Sequence, residues 1–197
     1  MSLSMVIQQI KLVQIFSRCI LRLIGWHTNV ILPKSSSYVL IGAPHTSNWD
    51  FAMMMLLTTA EGIPIHWLGK KSLFVGPLGF IMRLLGAIPV NRDERTKMVD
   101  QIAAKFDKQD RMIIVLAPEG TRSITPHWRS GFYYIALKAG VPIAMSYADY
   151  KNKIVGIGPS IIPTGDIKAD FEIIHNFYID IVGKYPDKQG KIELSNN

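Results

Sequence analysis

The chain has one cysteine, Cys19, in 197 residues. No internal disulfide can form, so stability must come from a core, as in proteins of reducing compartments. A run able to span a bilayer is also missing. Between residues 3 and 26 the apolar sequence is broken by Gln8, Gln9, Lys11, Gln14, Arg18 and Arg22. A spanning helix needs about 20 predominantly apolar residues, and a secretory leader needs an unbroken apolar stretch with a small-residue cleavage site. There is no Gly-x-Ser-x-Gly elbow for serine acyl chemistry and no Walker loop. Gly156-Ile157-Gly158-Pro159 lacks the third glycine and the helix start of a dinucleotide fingerprint. His27, His66, His127 and His175 are scattered without zinc-ligand spacing, so no metal site is expected. Internal repeats and low-complexity tracts are absent.

Hydrophobic residues make up 48% of the chain and charged residues 19%, the balance of a packed globular protein. The length fits one domain. A mean hydropathy of +0.18 is high for a soluble chain of this size and implies apolar surface beyond the core. Lys and Arg number 22 against 15 Asp and Glu, a net charge of +7. That charge points to an anionic partner: a nucleic acid, a membrane surface or a substrate. No nucleic-acid-binding motif surrounds the basic residues, so a nucleic-acid partner is not expected.

The polar residues near the amino terminus are periodic. Ser4, Gln8, Lys11, Gln14, Arg18 and Arg22 step by three or four, which puts them on one face of a helix. Such a helix can lie in the plane of an anionic membrane with its cations toward the headgroups. It can equally pack on its own domain, and the segment alone leaves both open. Residues 1–30 are read as an amphipathic, membrane-associating helix and 31–197 as the main domain.

Short β-rich runs follow at 38–41, 63–67, 87–90, 112–116, 142–146 and 153–157. Helical patterns separate most of them, at 50–59, 78–85, after Thr96, at 128–138 and after Thr164, with both threonines as candidate caps. This alternation predicts an α/β fold, a mostly parallel central sheet with helices on both faces. In such sheets functional groups gather beyond the carboxyl ends of the strands. Three unusual loops hold that position: 44–50, 90–93 and 118–123. In the first, His45 and Asp50 are spaced so that their side chains can meet across a loop entering a helix. A carboxylate on one imidazole nitrogen leaves the other basic, a general base for a hydroxyl proton. Asp50 could instead serve only as a helix cap. In the second, Arg92 offers a planar fork for phosphate oxygens. In the third, Gly120 permits close backbone approach, while Glu119 and Arg122 could pair as a structural clamp.

Taken together, these blocks resemble those of the glycerolipid acyltransferases of the 1-acylglycerol-3-phosphate acyltransferase type, in a compact bacterial form. His-x4-Asp is matched by His45 and Asp50. A Gly/Pro-rich amphipathic segment ending in arginine is matched from Lys71 to Arg92. Glu-Gly-Thr-Arg-Ser stands intact at 119–123, and Val-Pro-Ile at 141–143. The four occur in order across about residues 38–146. The resemblance implies transfer of a fatty acyl group from acyl-CoA or acyl carrier protein, as co-substrate without further cofactor, to a lysophospholipid hydroxyl. It implies His45 as base with Asp50 as its orienter, and Arg92, Glu119, Gly120, Thr121 and Arg122 as the acceptor's phosphate site. It also implies attachment, peripheral or monotopic, to an anionic membrane surface on its cytoplasmic face. A non-catalytic lipid-binding module with the same fold is the alternative.

Overall fold

The computed structural model describes residues 10–90 and 95–195. Helix α1 (Lys11–Leu23) leads into strand β1 (His27–Val30), then β2 (Tyr38–Gly42), α2 (Asn48–Ala60) and β3 (His66–Lys70). A 3-10 turn (Lys71–Phe74), α3 (Gly76–Leu84), β4 (Ala87–Val90), α4 (Arg95–Phe106) and β5 (Ile113–Leu116) follow. Helix α5 (Gly131–Ala139), β6 (Ile143–Asp149), β7 (Ile154–Ile161) and α6 (Ile167–Tyr178) complete the domain. The seven strands form one sheet in the order β1-β7-β6-β2-β5-β3-β4, parallel at every pairing except the β6–β7 hairpin.

Successive residues of a strand point to opposite faces, and here both faces are covered. Val39 and Ile41 of β2, Ile114 of β5 and Ile143 and Met145 of β6 feed one core, against Ile102, Ile135 and Ile174 of α4, α5 and α6. Leu40, Ile113, Val115 and Ala144 feed the other, against Leu21 of α1 and Met53 and Leu57 of α2. The α/β architecture with helices on both faces is the expected one.

Several boundaries differ from the sequence reading for local reasons. Strand β3 starts at His66 rather than 63, because the N–H of Ile63 closes the end of α2 on the Thr58 carbonyl at 2.7 Å and Pro64 has no N–H to give a ladder. Helix α5 starts at Gly131 rather than 128, because the N–H groups of Trp128 and Arg129 donate to Glu193 and Pro118 carbonyls. Helix α4 opens at Arg95, so Thr96 lies inside it rather than capping it. Asp166, not Thr164, caps α6 by accepting from the N–H groups of Lys168 and Ala169, while Thr164 bonds the buried Asp170 carboxylate. Strand β1 was not anticipated; its short, polar sequence forms a sheet edge. The expected helix over 3–26 is present from Lys11 to Leu23, and its residues 3–9 lie outside the described residues.

Tyr178 joins α6 to the sheet directly beneath the strand ends. Its buried hydroxyl lies 2.9 Å from the carbonyls of both Ile41 and Ser146. The Ile41 carbonyl keeps the Ser146 hydroxyl as donor at 3.0 Å and the Ser146 carbonyl keeps the Ala43 N–H at 3.3 Å, so removing the Tyr178 hydroxyl forfeits one net hydrogen bond, about 0.5–1.5 kcal/mol. Tyr178→Phe should therefore lower the unfolding free energy by that amount, measured by urea denaturation.

Candidate active site

The site is built around the turn from β2 into α2. Ser47 is the N-cap, its Oγ accepting the N–H of Trp49 at 3.1 Å. Asp50, one turn in, reaches back, and its Oδ2 accepts the N–H groups of Thr46 at 2.8 Å and Ser47 at 2.7 Å. This capping box uses donors that a helix start would otherwise leave unpaired. The same Oδ2 stands 3.4 Å from Nδ1 of His45. Asp50 is thus both cap and imidazole partner. The side chain of His45 is 26% exposed and that of Asp50 only 9%. With Nδ1 facing the buried carboxylate, Nε2 is the nitrogen left open.

The third loop arrives from β5. Glu119 is buried, and its Oε2 accepts the backbone N–H of His45 at 2.7 Å. Burial pushes its carboxyl up to about 7, against the opposing pull of that hydrogen bond. Arg122 bonds the side-chain oxygen of Asn48. The Glu119–Arg122 clamp considered from the sequence does not form; each side chain instead holds the His45–Asn48 turn. Gly120 has φ +68°, and a Cβ there would come within 2.8 Å of the Arg129 Nε. Glycine is needed on both counts. The hydroxyl of Thr121 accepts the N–H of Ser123 at 3.2 Å. His45, Asp50, Glu119, Gly120, Thr121 and Arg122 are therefore brought together, while Arg92 lies outside the described residues.

Two neighbours escaped the sequence reading. The Arg129 guanidinium lies against Gly120 and lines the same cavity as Arg122, with no hydrogen-bond or ion-pair partner among the described residues. The helix expected over 128–138 takes in Arg129, whereas α5 begins only at Gly131. Tyr150 donates its hydroxyl to Oδ1 of Asp50 at 2.9 Å. Strand β6 runs to Asp149, three residues past its expected end, so Tyr150 was not seen to follow a strand end as the other site residues do.

His45 and Asp50 line a cavity of about 1160 Å³. Phe51, Met54, Leu57, Trp67 and Val115 make an apolar part of its wall, and Gly120, Thr121, Arg122 and Arg129 a polar, cationic part. An apolar chain and an anionic group can thus both be held near His45.

The arrangement is that of an enzyme site with room for an apolar chain beside an anionic group, and the family comparison gives the class. The sequence model of the family described as Acyltransferase matches residues 25–146, and the chain belongs to that family. The protein is an acyltransferase, which sets aside the reading as a non-catalytic binder. Among solved structures it is similar to the 1-acyl-sn-glycerophosphate (LPA) acyltransferase PlsC from Thermotoga maritima. The two share 17% identity and superpose with a TM-score of 0.58 over 86% of this chain and 78% of that one, which shows a common fold.

The buried Glu119 carboxyl gives a pH-dependent stability. Its folded pKa, about 7, lies above the ordinary 4.5, so the fold favours the neutral acid. The associated stability is fully present below pH 4.5 and is lost as pH rises through about 7. Glu119→Gln keeps an acceptor for the His45 N–H and removes the titration. Its stability relative to the native protein should rise between pH 4.5 and pH 8, by up to about 3 kcal/mol, in urea unfolding at the two pH values.

Proposed function

We propose that the enzyme transfers a fatty acyl group from an acyl thioester, acyl-CoA or acyl carrier protein, to the hydroxyl of a lysophospholipid such as 1-acylglycerol-3-phosphate. The observation that carries this reading is the His45–Asp50 contact at a cavity that is apolar on one part and cationic on another. Nε2 of His45 takes the acceptor's hydroxyl proton. The oxygen attacks the thioester carbonyl, the C–S bond breaks as the tetrahedral intermediate collapses, and the imidazolium returns its proton to the leaving thiolate. A thioester is activated enough that no covalent enzyme intermediate is required. The base supplies about 10²- to 10⁴-fold, with the rest coming from proximity and electrostatic stabilisation.

Arg122 and Arg129 take the acceptor phosphate, with Gly120 and Thr121 beside them. Arg92, outside the described residues, joins them on the strength of the family motif. Glu119 serves this site by holding the His45 backbone. Phe51, Met54 and Leu57 receive acyl chain. The Thermotoga protein's described activity on 1-acyl-sn-glycerophosphate supports the choice of acceptor.

The donor's acyl tail and the acceptor both favour a membrane, and α1 has a surface to match. Side chains step by about 100° around a helix, so Leu12, Ile15, Phe16 and Leu23 share one stripe. They are 78%, 54%, 66% and 86% exposed, while Ser17 and Leu21 on the other side are buried. Lys11, Arg18 and Arg22 lie along one flank of the stripe, with Arg18 3.7 Å from Glu61. The helix both packs on its own domain and keeps an apolar face outward. Among the described residues no helix is long and apolar enough to cross a membrane. These features support a helix lying in the headgroup plane, at an anionic surface on the cytoplasmic side.

The deciding experiment is an assay of purified protein with labelled acyl-CoA or acyl carrier protein and a panel of lysophospholipids. His45→Ala should lose at least about 10²-fold in kcat while remaining folded by circular dichroism, and Asp50→Asn a similar or smaller factor. Near-normal transfer by His45→Ala would overturn the mechanism. In vesicle co-sedimentation, Leu12→Ser with Phe16→Ser should weaken binding about tenfold or more, each loss of apolar contact costing about 1.5–3 kcal/mol when burial is complete. High salt should release the native protein only in part.

A further inference from the structure

Asp50 uses both oxygens. Oδ2 meets the two backbone N–H groups of the turn and Nδ1 of His45, all from its own loop. Oδ1 receives its hydrogen bond from a residue 100 positions away, the hydroxyl of Tyr150 at 2.9 Å. The torsion between a carboxylate and its Cβ is broad and shallow. Contacts at Oδ2 alone leave the plane of the carboxylate free to turn about that point. A donor at Oδ1 fixes the plane, and so the direction in which Asp50 faces the imidazole.

Tyr150 is itself held at every point where it could drift. Its backbone N–H donates to the Val182 carbonyl at 2.9 Å. The residue before it, Asp149, is buried and ties the following turn through the N–H of Lys151 at 3.1 Å and the side-chain amide of Asn152 at 2.6 Å. Its ring meets Trp26 edge-on, centroids 4.9 Å apart at 86°. Burial, then the charge of Asp50, pushes the Tyr150 hydroxyl well above its usual range, so it remains a donor wherever the enzyme works.

We infer that Tyr150 is a positioning residue for acyl transfer: its hydroxyl sets the plane of the Asp50 carboxylate and, through it, the orientation of the His45 imidazole. The inference rests on the reading of His45 as the base. Tyr150→Phe removes the hydroxyl and keeps the ring on Trp26. A hydrogen bond to a charged group is worth enough that kcat should fall about tenfold, with donor and acceptor KM each within about twofold and the thermal midpoint little changed. The next readout separates this from a purely structural role, which would cost the same in any background. In an Asp50→Asn background the same substitution should cost almost nothing further, because its effect passes through Asp50. Native kcat in Tyr150→Phe, a loss confined to KM, or a full additional loss in the Asp50→Asn background would each overturn the inference. Proton NMR of the His45 Nδ1–H resonance tests the same coupling without turnover. It should shift in Tyr150→Phe, and an unchanged resonance would overturn the proposal. Failure of the native enzyme to use any thioester would instead count against the acyl-transfer reading, and the NMR experiment would still decide the Tyr150–Asp50–His45 coupling.

Discussion

The carboxylate of Asp50 is the point on which the site depends. It completes the cap of α2, accepts two N–H groups of its own loop, receives the Tyr150 hydroxyl and faces His45. A buried carboxylate is stable only when its lone pairs are filled. Filling them here also dictates the path of residues 45–50. Folding the helix start and orienting the imidazole are consequently one event.

The third loop serves the first. Glu119 and Arg122 both reach back to the His45–Asn48 turn, one through its backbone and one through a side chain. The parallel β2–β5 pairing, with Ile41 opposite Leu116, brings the two loops out side by side. Tyr178 fixes the carbonyls of Ile41 and Ser146 just below. Precision at His45 thus derives from strand register rather than from loop stiffness, which suits the role of base proposed for it.

Helix α1 shows how an apolar-rich chain distributes its excess. Its apolar residues divide into a side that meets α2 and a stripe that meets solvent. The two uses first weighed as alternatives, packing and outward apolar contact, coexist on one helix because about 100° of its circumference suffices for each.

What the sequence determined by itself was whatever local pattern carries. The alternation of strands and helices placed two helix layers on a largely parallel sheet, and 87–90 emerged as β4 at the expected bounds. The spacing of His45 and Asp50 foretold their contact, since both lie within one turn of chain. Tertiary structure decided the rest. The start of β3 was displaced by a helix end using the N–H of Ile63, and α5 was shortened by bonds from Trp128 and Arg129 to distant carbonyls. Glu119 could be read as a partner for Arg122 or, by the resemblance, as part of the phosphate site, but not as the holder of the His45 N–H, which lies 74 residues away. Tyr150, 100 residues from Asp50, carried no local sign at all. Periodicity reports which side of an element is buried, whereas a hydrogen bond between elements depends on how the sheet sets them beside each other.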